Sequence, residues 1–176
     1  FKLLDILYKK EFILFVVLIT ILIINSNLTP YFLDLYNLID STFLFSEKAI
    51  IALTMTFVII ARQIDLSVAS IIAVSSVVLG YTTSLGYDTW LVISLTLLSG
   101  ALCGAFNGAI ITKFAIPSII VTIGTMSLFR GLAYSFLEDS YYNKFPKIVS
   151  NLGSGYLFGY IPYAFLTFIL LALVFA

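Results

Sequence analysis

The chain alternates between long apolar runs and short polar interruptions, and six apolar runs can be placed. They are Phe12–Ile24 (preceded by YKKE and extended by NSNL), Ala49–Ala61, Ile64–Gly80, Trp90–Thr112, Ile116–Leu137 and Tyr156–Ala176. A helix rises about 1.5 Å per residue, so roughly 20 residues cross a hydrocarbon core. The last three runs meet that length unaided, whereas the second and third fall short. Between those two stands VIIARQIDLSVAS, residues 58–70, in which Arg62 and Asp65 interrupt the apolar pattern. Longer polar connections are expected only at residues 25–46 and 138–155. The pattern predicts an all-α polytopic membrane protein with about six transmembrane helices, forming one membrane domain over residues 1–176.

Composition makes lipid the solvent. Hydrophobic residues are 61% of the chain and charged residues 10%, against roughly 25% charged in soluble domains. An apolar excess of that size cannot be hidden inside a soluble core this small. The net charge is zero, which gives no nucleic-acid footprint. Histidine is absent and Cys103 is the single cysteine. A disulfide framework, a zinc site and histidine-based acid–base chemistry therefore fall away. No G-x-x-x-x-G-K-[ST] run is present, so ATP is not expected to bind here. The chain starts at Phe1 and stops within FLTFILLALVFA, and it reads as the opening part of a longer protein. Its first run lacks an A-x-A-like cleavage site and reads as a span.

Basic residues set the expected orientation. With the amino terminus in the cytoplasm, Lys2, Lys9, Lys10, Arg62 and Lys113 fall inside, against Lys48, Lys144 and Lys147 outside. The outer loops then carry Asp34, Asp40, Glu47, Asp88, Glu138 and Asp139.

The candidate chemistry is sparse. Gly100, Gly104 and Gly108 recur every four residues, a small-residue face of the kind that lets two helix backbones approach in lipid. Asn107 lies beside it, as interhelical glue or as a polar group facing a pathway. Pro117 suits the first turn of a helix. Beyond it, Ser118, Thr122 and Thr125 form a weakly polar stripe, with Gly124 and Gly131 allowing close approach. Those hydroxyls either back-bond to their own helix or face a pathway. Arg130 interrupts an otherwise uncharged span. It either snorkels towards Glu138 and Asp139 or lines a polar cavity. Asp65 either caps the third helix or marks a break sunk towards the bilayer midplane. Ser67 and Ser70 make the start of that helix polar.

These residues converge on a family. IDLSVAS, followed by GALCGAFNGAIITKFAIPSIIVTIGTMSLFRGLAY, resembles the permease subunits of bacterial ABC importers for simple sugars. This is the group serving ribose, xylose, rhamnose and autoinducer 2. The matching positions are Ile64, Asp65, Leu66, Ser67 and Val68, then Gly100 or Gly104, Asn107 and Gly108. Pro117, Thr122, Gly124, Thr125, Met126, Arg130 and Gly131 complete the set. FPKIVSNLGSGYLFGYIP is also similar to the family's exterior loop. Arg62-Gln63 stand where the pattern has Gly-Gly, and Ala69 where it has glycine. That departure argues that the turn does not need glycine dihedrals. IIAR-x-IDLSVA with GTMSLFRG is most similar to the rhamnose-type subgroup.

The resemblance implies a permease of about ten helices, working with a second permease, cytoplasmic ATPase subunits and a periplasmic sugar-binding protein. ATP and magnesium would bind those partner subunits, and no cofactor is expected on this chain. Ser67, Asn107, Thr122 and Thr125 become pathway candidates, for a neutral sugar is bound by hydroxyl and amide groups. Arg62, Asp65 and Arg130 become structural or gating groups, and Gly100, Gly104, Gly108 and Gly124 helix-packing positions. Three other classes remain open: an ion-coupled secondary transporter, with Asp65 as its carboxylate, a non-transporting membrane scaffold and, weakest, a membrane enzyme, for which the sequence offers no nucleophile–base pair or metal cluster. No catalytic or metal residues are expected.

Overall fold

A backbone in lipid must satisfy its own polar groups, which restricts spanning segments to helices or closed barrels. Helices dominate the computed structural model, which describes residues 10–137 and 141–175. In order they are α1 (Lys10–Leu28), α2 (Leu35–Ile60), α3 (Val68–Ser84), α4 (Thr89–Phe114) and α5 (Ser118–Leu137). The short α6 (Lys147–Ser154) follows. A hairpin of β1 (Tyr156–Leu157) and β2 (Ile161–Pro162) then leads into α7 (Tyr163–Phe175). Helices α1, α2, α4 and α5 are long and apolar enough to cross a membrane, while α3 and α7 are shorter apolar helices.

Three boundaries differ from those the hydropathy pattern predicts. The second run is the carboxyl half of α2, a 26-residue helix that starts at Leu35. Asp40, Ser41 and Glu47 hide its first half from a hydropathy reading, although Leu35, Leu38 and Ile39 keep helical spacing. The third run starts four residues later than expected, at Val68, and continues past Gly80 to Ser84. Gly80 does not end the helix. A Cβ there would come within 2.5 Å of the Tyr142 ring, so glycine makes room for that ring. The sixth run is split, because Tyr156–Pro162 folds as the antiparallel hairpin and only Tyr163 onward is helical.

Burial is inverted relative to a water-soluble protein. Ser46, Ser67, Ser70, Thr82, Asn107, Ser118, Thr122 and Thr125 are buried, while most large aliphatic side chains lie on the outside. Lipid tails are as apolar as leucine, so apolar side chains gain little by leaving them, whereas polar groups must find partners inside.

Two groups of helices result. In one, α3 lies against α4 and α5, and α4 also touches α5. In the other, α2 lies against α7 and β2, and α6 against α7. Aromatic contacts tie the hairpin to α2: Tyr156 stacks on Phe43, and Tyr160 meets Tyr36 edge-on. The Tyr156 hydroxyl donates to Asp40 Oδ1 at 2.6 Å. That hydrogen bond, with some desolvation, pushes the phenol above its ordinary range, since ionisation would set two anions side by side.

The end of α2 corrects one sequence expectation. Arg62 N–H donates to Ile59 O at 2.8 Å and Gln63 N–H to Val58 O at 3.0 Å. These are the two bonds of a Schellman cap. Arg62 holds φ at +57°, in the left-handed region usually left to glycine. The turn does need a glycine-type dihedral, and an arginine supplies it. Left-handed backbone costs an L-residue about 1–2 kcal/mol, here offset by two otherwise orphaned carbonyls gaining donors.

Candidate functional site

The site grows from the break between α2 and α3. Residues 63–67 are not helical, so their peptide groups need partners from elsewhere. Helix α5 supplies two from successive turns. Ile64 N–H donates to Ser118 Oγ at 3.0 Å, and Thr122 Oγ1 donates to the Ile64 carbonyl at 3.3 Å. The i, i+4 spacing of Ser118 and Thr122 sets both hydroxyls on one helix face, where together they satisfy the N–H and the C=O of Ile64.

Helix α4 reaches the same break. Asn107 Nδ2 donates to Ser67 Oγ at 2.8 Å, and Ser67 Oγ donates to Asp65 Oδ1 at 2.7 Å. The Ser67 N–H donates to the same carboxylate oxygen at 2.8 Å. Amide, hydroxyl and carboxylate thus form a directional chain ending on the acceptor-only group. Asp65 accepts the N–H of Ser67, the N-cap residue of α3, and so ties down the head of that helix. Asn107 joins α4 to that head, as interhelical glue does.

Helix lengths give the depth of this polar cluster. Asn107 lies seven residues before the end of α4, about 10 Å along its axis. Thr122 lies four residues into α5, about 6 Å. The break is therefore recessed one to two turns from the α4–α5 turn and stops short of mid-helix. At 17 residues, α3 is about 25 Å long, and its recessed start accounts for the shortness of that run.

The other singled-out residues separate into three kinds. Thr125 is buried, and its hydroxyl back-bonds to the Thr122 carbonyl at 3.4 Å. Gly100 sits where an added Cβ would come 3.2 Å from Ser75 Oγ of α3, whereas Gly104, Gly108, Gly124 and Gly131 have open space around them. Arg62 is exposed on the far side of its turn. Arg130 lines a cavity of about 490 Å³ with Ser76, Tyr134, Tyr141 and Tyr142. Glu138 and Asp139 lie outside the described residues. Sequence reasoning singled out Ser118 and Ser70 only as stripe and helix-start residues. The signal that finds the role of Ser118 is its hydroxyl one turn from that of Thr122, both facing a helix break. Among the described residues, Ser70 Oγ and Asn107 Oδ1 are buried without a hydrogen-bond partner.

Apolar side chains turned outward around a polar interior define an all-α, multi-pass membrane protein. The chain belongs to the family described as the branched-chain amino acid transport system / permease component, which matches residues 37–176. The autoinducer 2 import system permease protein LsrD of Klebsiella pneumoniae is 40% identical over 69% of this chain and 36% of its own length. The ribose import permease protein RbsC of Haemophilus influenzae is 32% identical over 82% of this chain and 46% of its own. The autoinducer 2 import system permease protein LsrC of Photorhabdus laumondii is 32% identical over 88% and 47% respectively. The chain therefore spans between about a third and a half of the curated relatives it matches. No solved structure matches it. The motif resemblance is borne out at the level of the permease family. The relatives and the apolar helices together make this a multi-pass protein of the bacterial inner membrane.

Proposed function

We propose that this chain is part of the transmembrane permease subunit of an ATP-binding-cassette importer that carries a simple sugar into the bacterial cell. The family match over residues 37–176 carries this reading, and relatives named for ribose and autoinducer 2 import support it. The distribution of basic residues favours an amino terminus in the cytoplasm. A second permease, identical or not, would complete the pathway. A periplasmic binding protein would deliver the sugar, and cytoplasmic ATPase subunits would bind ATP and magnesium. Work is done only if sugar and ATP bind the outward and inward states unequally, so the permease is the two-state element.

Within that reading, Ser67, Asn107, Thr122 and Thr125 belong to the inner part of the pathway wall, and Asp65 fixes the helix break beside it. The open acceptor on Asn107 Oδ1 supports a polar neighbour there, since an unpaired buried acceptor costs about 1–3 kcal/mol. Gly104, Gly108 and Gly124 face open space that further helices of the whole permease would fill. Within the sugars, the motif likeness favours rhamnose and the relatives' names favour ribose or autoinducer 2.

The test is uptake by the full-length permease in proteoliposomes with its ATPase and binding protein, using ribose, xylose, rhamnose and autoinducer 2 side by side. One of them should accumulate with ATP hydrolysis and without a proton or sodium gradient. Uptake that survives loss of the ATPase and collapses with the gradient would favour ion coupling through Asp65. A scaffold predicts no uptake of any of them.

A further inference from the structure

Two cavities flank the seam between α3 and α5, and they differ in chemistry. One, about 170 Å³, is walled by Val74, Val78, Tyr81, Leu132 and Phe136 around the shared residues Val77 and Ala133. The other, about 490 Å³, adds to an apolar lining the polar groups of Arg130, Ser76, Tyr134, Tyr141 and Tyr142. Small-molecule sites span roughly 300–1,000 Å³ and combine apolar walls with a few convergent polar groups. The larger cavity fits that description and the smaller does not.

The larger cavity also has a built wall. The ring of Tyr142 reaches α3 only because position 80 is glycine, where a Cβ would stand 2.5 Å from it. On α5 the buried stripe is hydroxyl-bearing at Ser118, Thr122 and Thr125 and apolar at Phe129 and Ala133. Arg130 stands at its edge, about 12 Å along the helix from Thr122. Polar chemistry thus reappears at the middle of α3, with Ser76, and in the carboxyl half of α5, with Arg130 and Tyr134, the half nearer the outer side in the orientation proposed above. A guanidinium gives five fixed donors, the serine and tyrosine hydroxyls both donate and accept, and aromatic faces cover the C–H surface of a ring. That set can meet the hydroxyls and the face of a sugar ring, on a lining that is otherwise apolar through Ala73, Val77, Ala133, Leu137 and Phe145.

We propose that the Arg130 cavity is the outer sugar-binding site of the permease, holding one monosaccharide ring between Arg130, Ser76 and the tyrosines Tyr134, Tyr141 and Tyr142 before it moves inward. This rests on the sugar-importer reading. The donors of Arg130 and Ser76 fix the hydroxyls, and the tyrosine rings fix the face.

The test uses the full-length permease with its ATPase and binding protein in proteoliposomes. Cys103→Ala removes the native thiol and Ala73→Cys places one in the cavity wall, with Leu137→Cys as a second position. Labelling by a membrane-impermeant maleimide from the outer side is followed with and without the sugar that the preparation takes up. The sugar should slow labelling at least about fivefold, the protection expected at a well-occupied site. Arg130→Gln should abolish that protection and lower uptake about tenfold, as loss of a charge-assisted hydrogen bond does, and Arg130→Lys should retain part of both. Failure of both thiols to label, or labelling unslowed by the transported sugar, overturns the site while ATP-driven uptake leaves the importer reading standing. Slowing by phosphatidylglycerol relative to phosphatidylcholine vesicles, without a sugar effect, assigns the cavity to a lipid headgroup and overturns the proposal. Absence of any sugar uptake overturns the importer reading itself. If Arg130→Gln does not fold, protection at positions 73 and 137 still decides.

Discussion

The two corners that flank α3 are built from the same local parts and are held by different means. Each starts with a left-handed residue that closes a Schellman cap: Arg62 at φ +57° and Gly86 at φ +75°. Each uses the same pair of backbone bonds, Arg62 and Gln63 to Ile59 and Val58 in one, Gly86 and Tyr87 to Thr83 and Thr82 in the other. Each is followed by an aspartate that accepts from the N–H two residues on, Asp65 from Ser67 at 2.8 Å and Asp88 from Trp90 at 2.9 Å. The α3–α4 corner stops there, is largely exposed, and uses glycine where geometry favours it. The α2–α3 corner has five non-helical residues after its cap, 63–67, against two, 87–88, in the other, sinks between α4 and α5, and enlists Asn107, Ser118 and Thr122. Local chemistry makes a corner, and partner helices decide where it lies.

The comparison can be broken at Asp65. Replacing Asp65 with leucine leaves the buried Ser67 N–H and hydroxyl without their acceptor, and should cost about 3 kcal/mol. Replacing Asp88 with alanine removes an exposed cap and should cost about 1 kcal/mol. Unfolding of the full-length permease in mixed micelles by SDS measures both, and equal losses would erase the distinction between the corners. Asp65→Asn keeps an acceptor oxygen and should stay folded. If that variant folds without transporting, the carboxylate charge itself is needed.

A smaller effect belongs to Asn107→Leu, which takes the donor from Ser67 and should cost about 2 kcal/mol. It has no counterpart at the α3–α4 corner. A double-mutant cycle with Ser67→Ala should give clearly less than additive loss, because the two side chains share one bond. Additive losses would separate Asn107 from the break.

The smallest expected change sharpens the comparison where the corners agree. Gly86→Ala should destabilise by about 1 kcal/mol, through the left-handed backbone. Arg62→Gly should stabilise by up to about 1 kcal/mol, while Arg62→Val should be worse than wild type. A stabilising Arg62→Val would show that position 62 does not hold the left-handed backbone in solution.

Much of this was legible along the chain. The apolar runs placed α1, α4 and α5 within a few residues, because lipid-facing helices carry their signal in composition alone. The capping chemistry of Asp65 and the gluing chemistry of Asn107 were also readable, each as one of two alternatives. The first half of α2 was not, because its charged positions depress hydropathy although helical spacing survives. Nor was the hairpin after Gly155, whose side chains Tyr156 and Tyr160 find partners on α2, more than a hundred residues away in sequence.

By itself the sequence determined the solvent, the class and the polar residues that cannot face lipid. These follow from residue type and spacing, since an amide or carboxylate in hydrocarbon must find a partner whatever the fold. Only the tertiary structure decided which partner each takes. Asn107 meets Ser67 and not a neighbour on α5, Ser118 and Thr122 share the backbone of Ile64, and Arg62 accepts a glycine's dihedral. Those outcomes depend on where three helices cross, which is set by close approach between residues far apart in the chain.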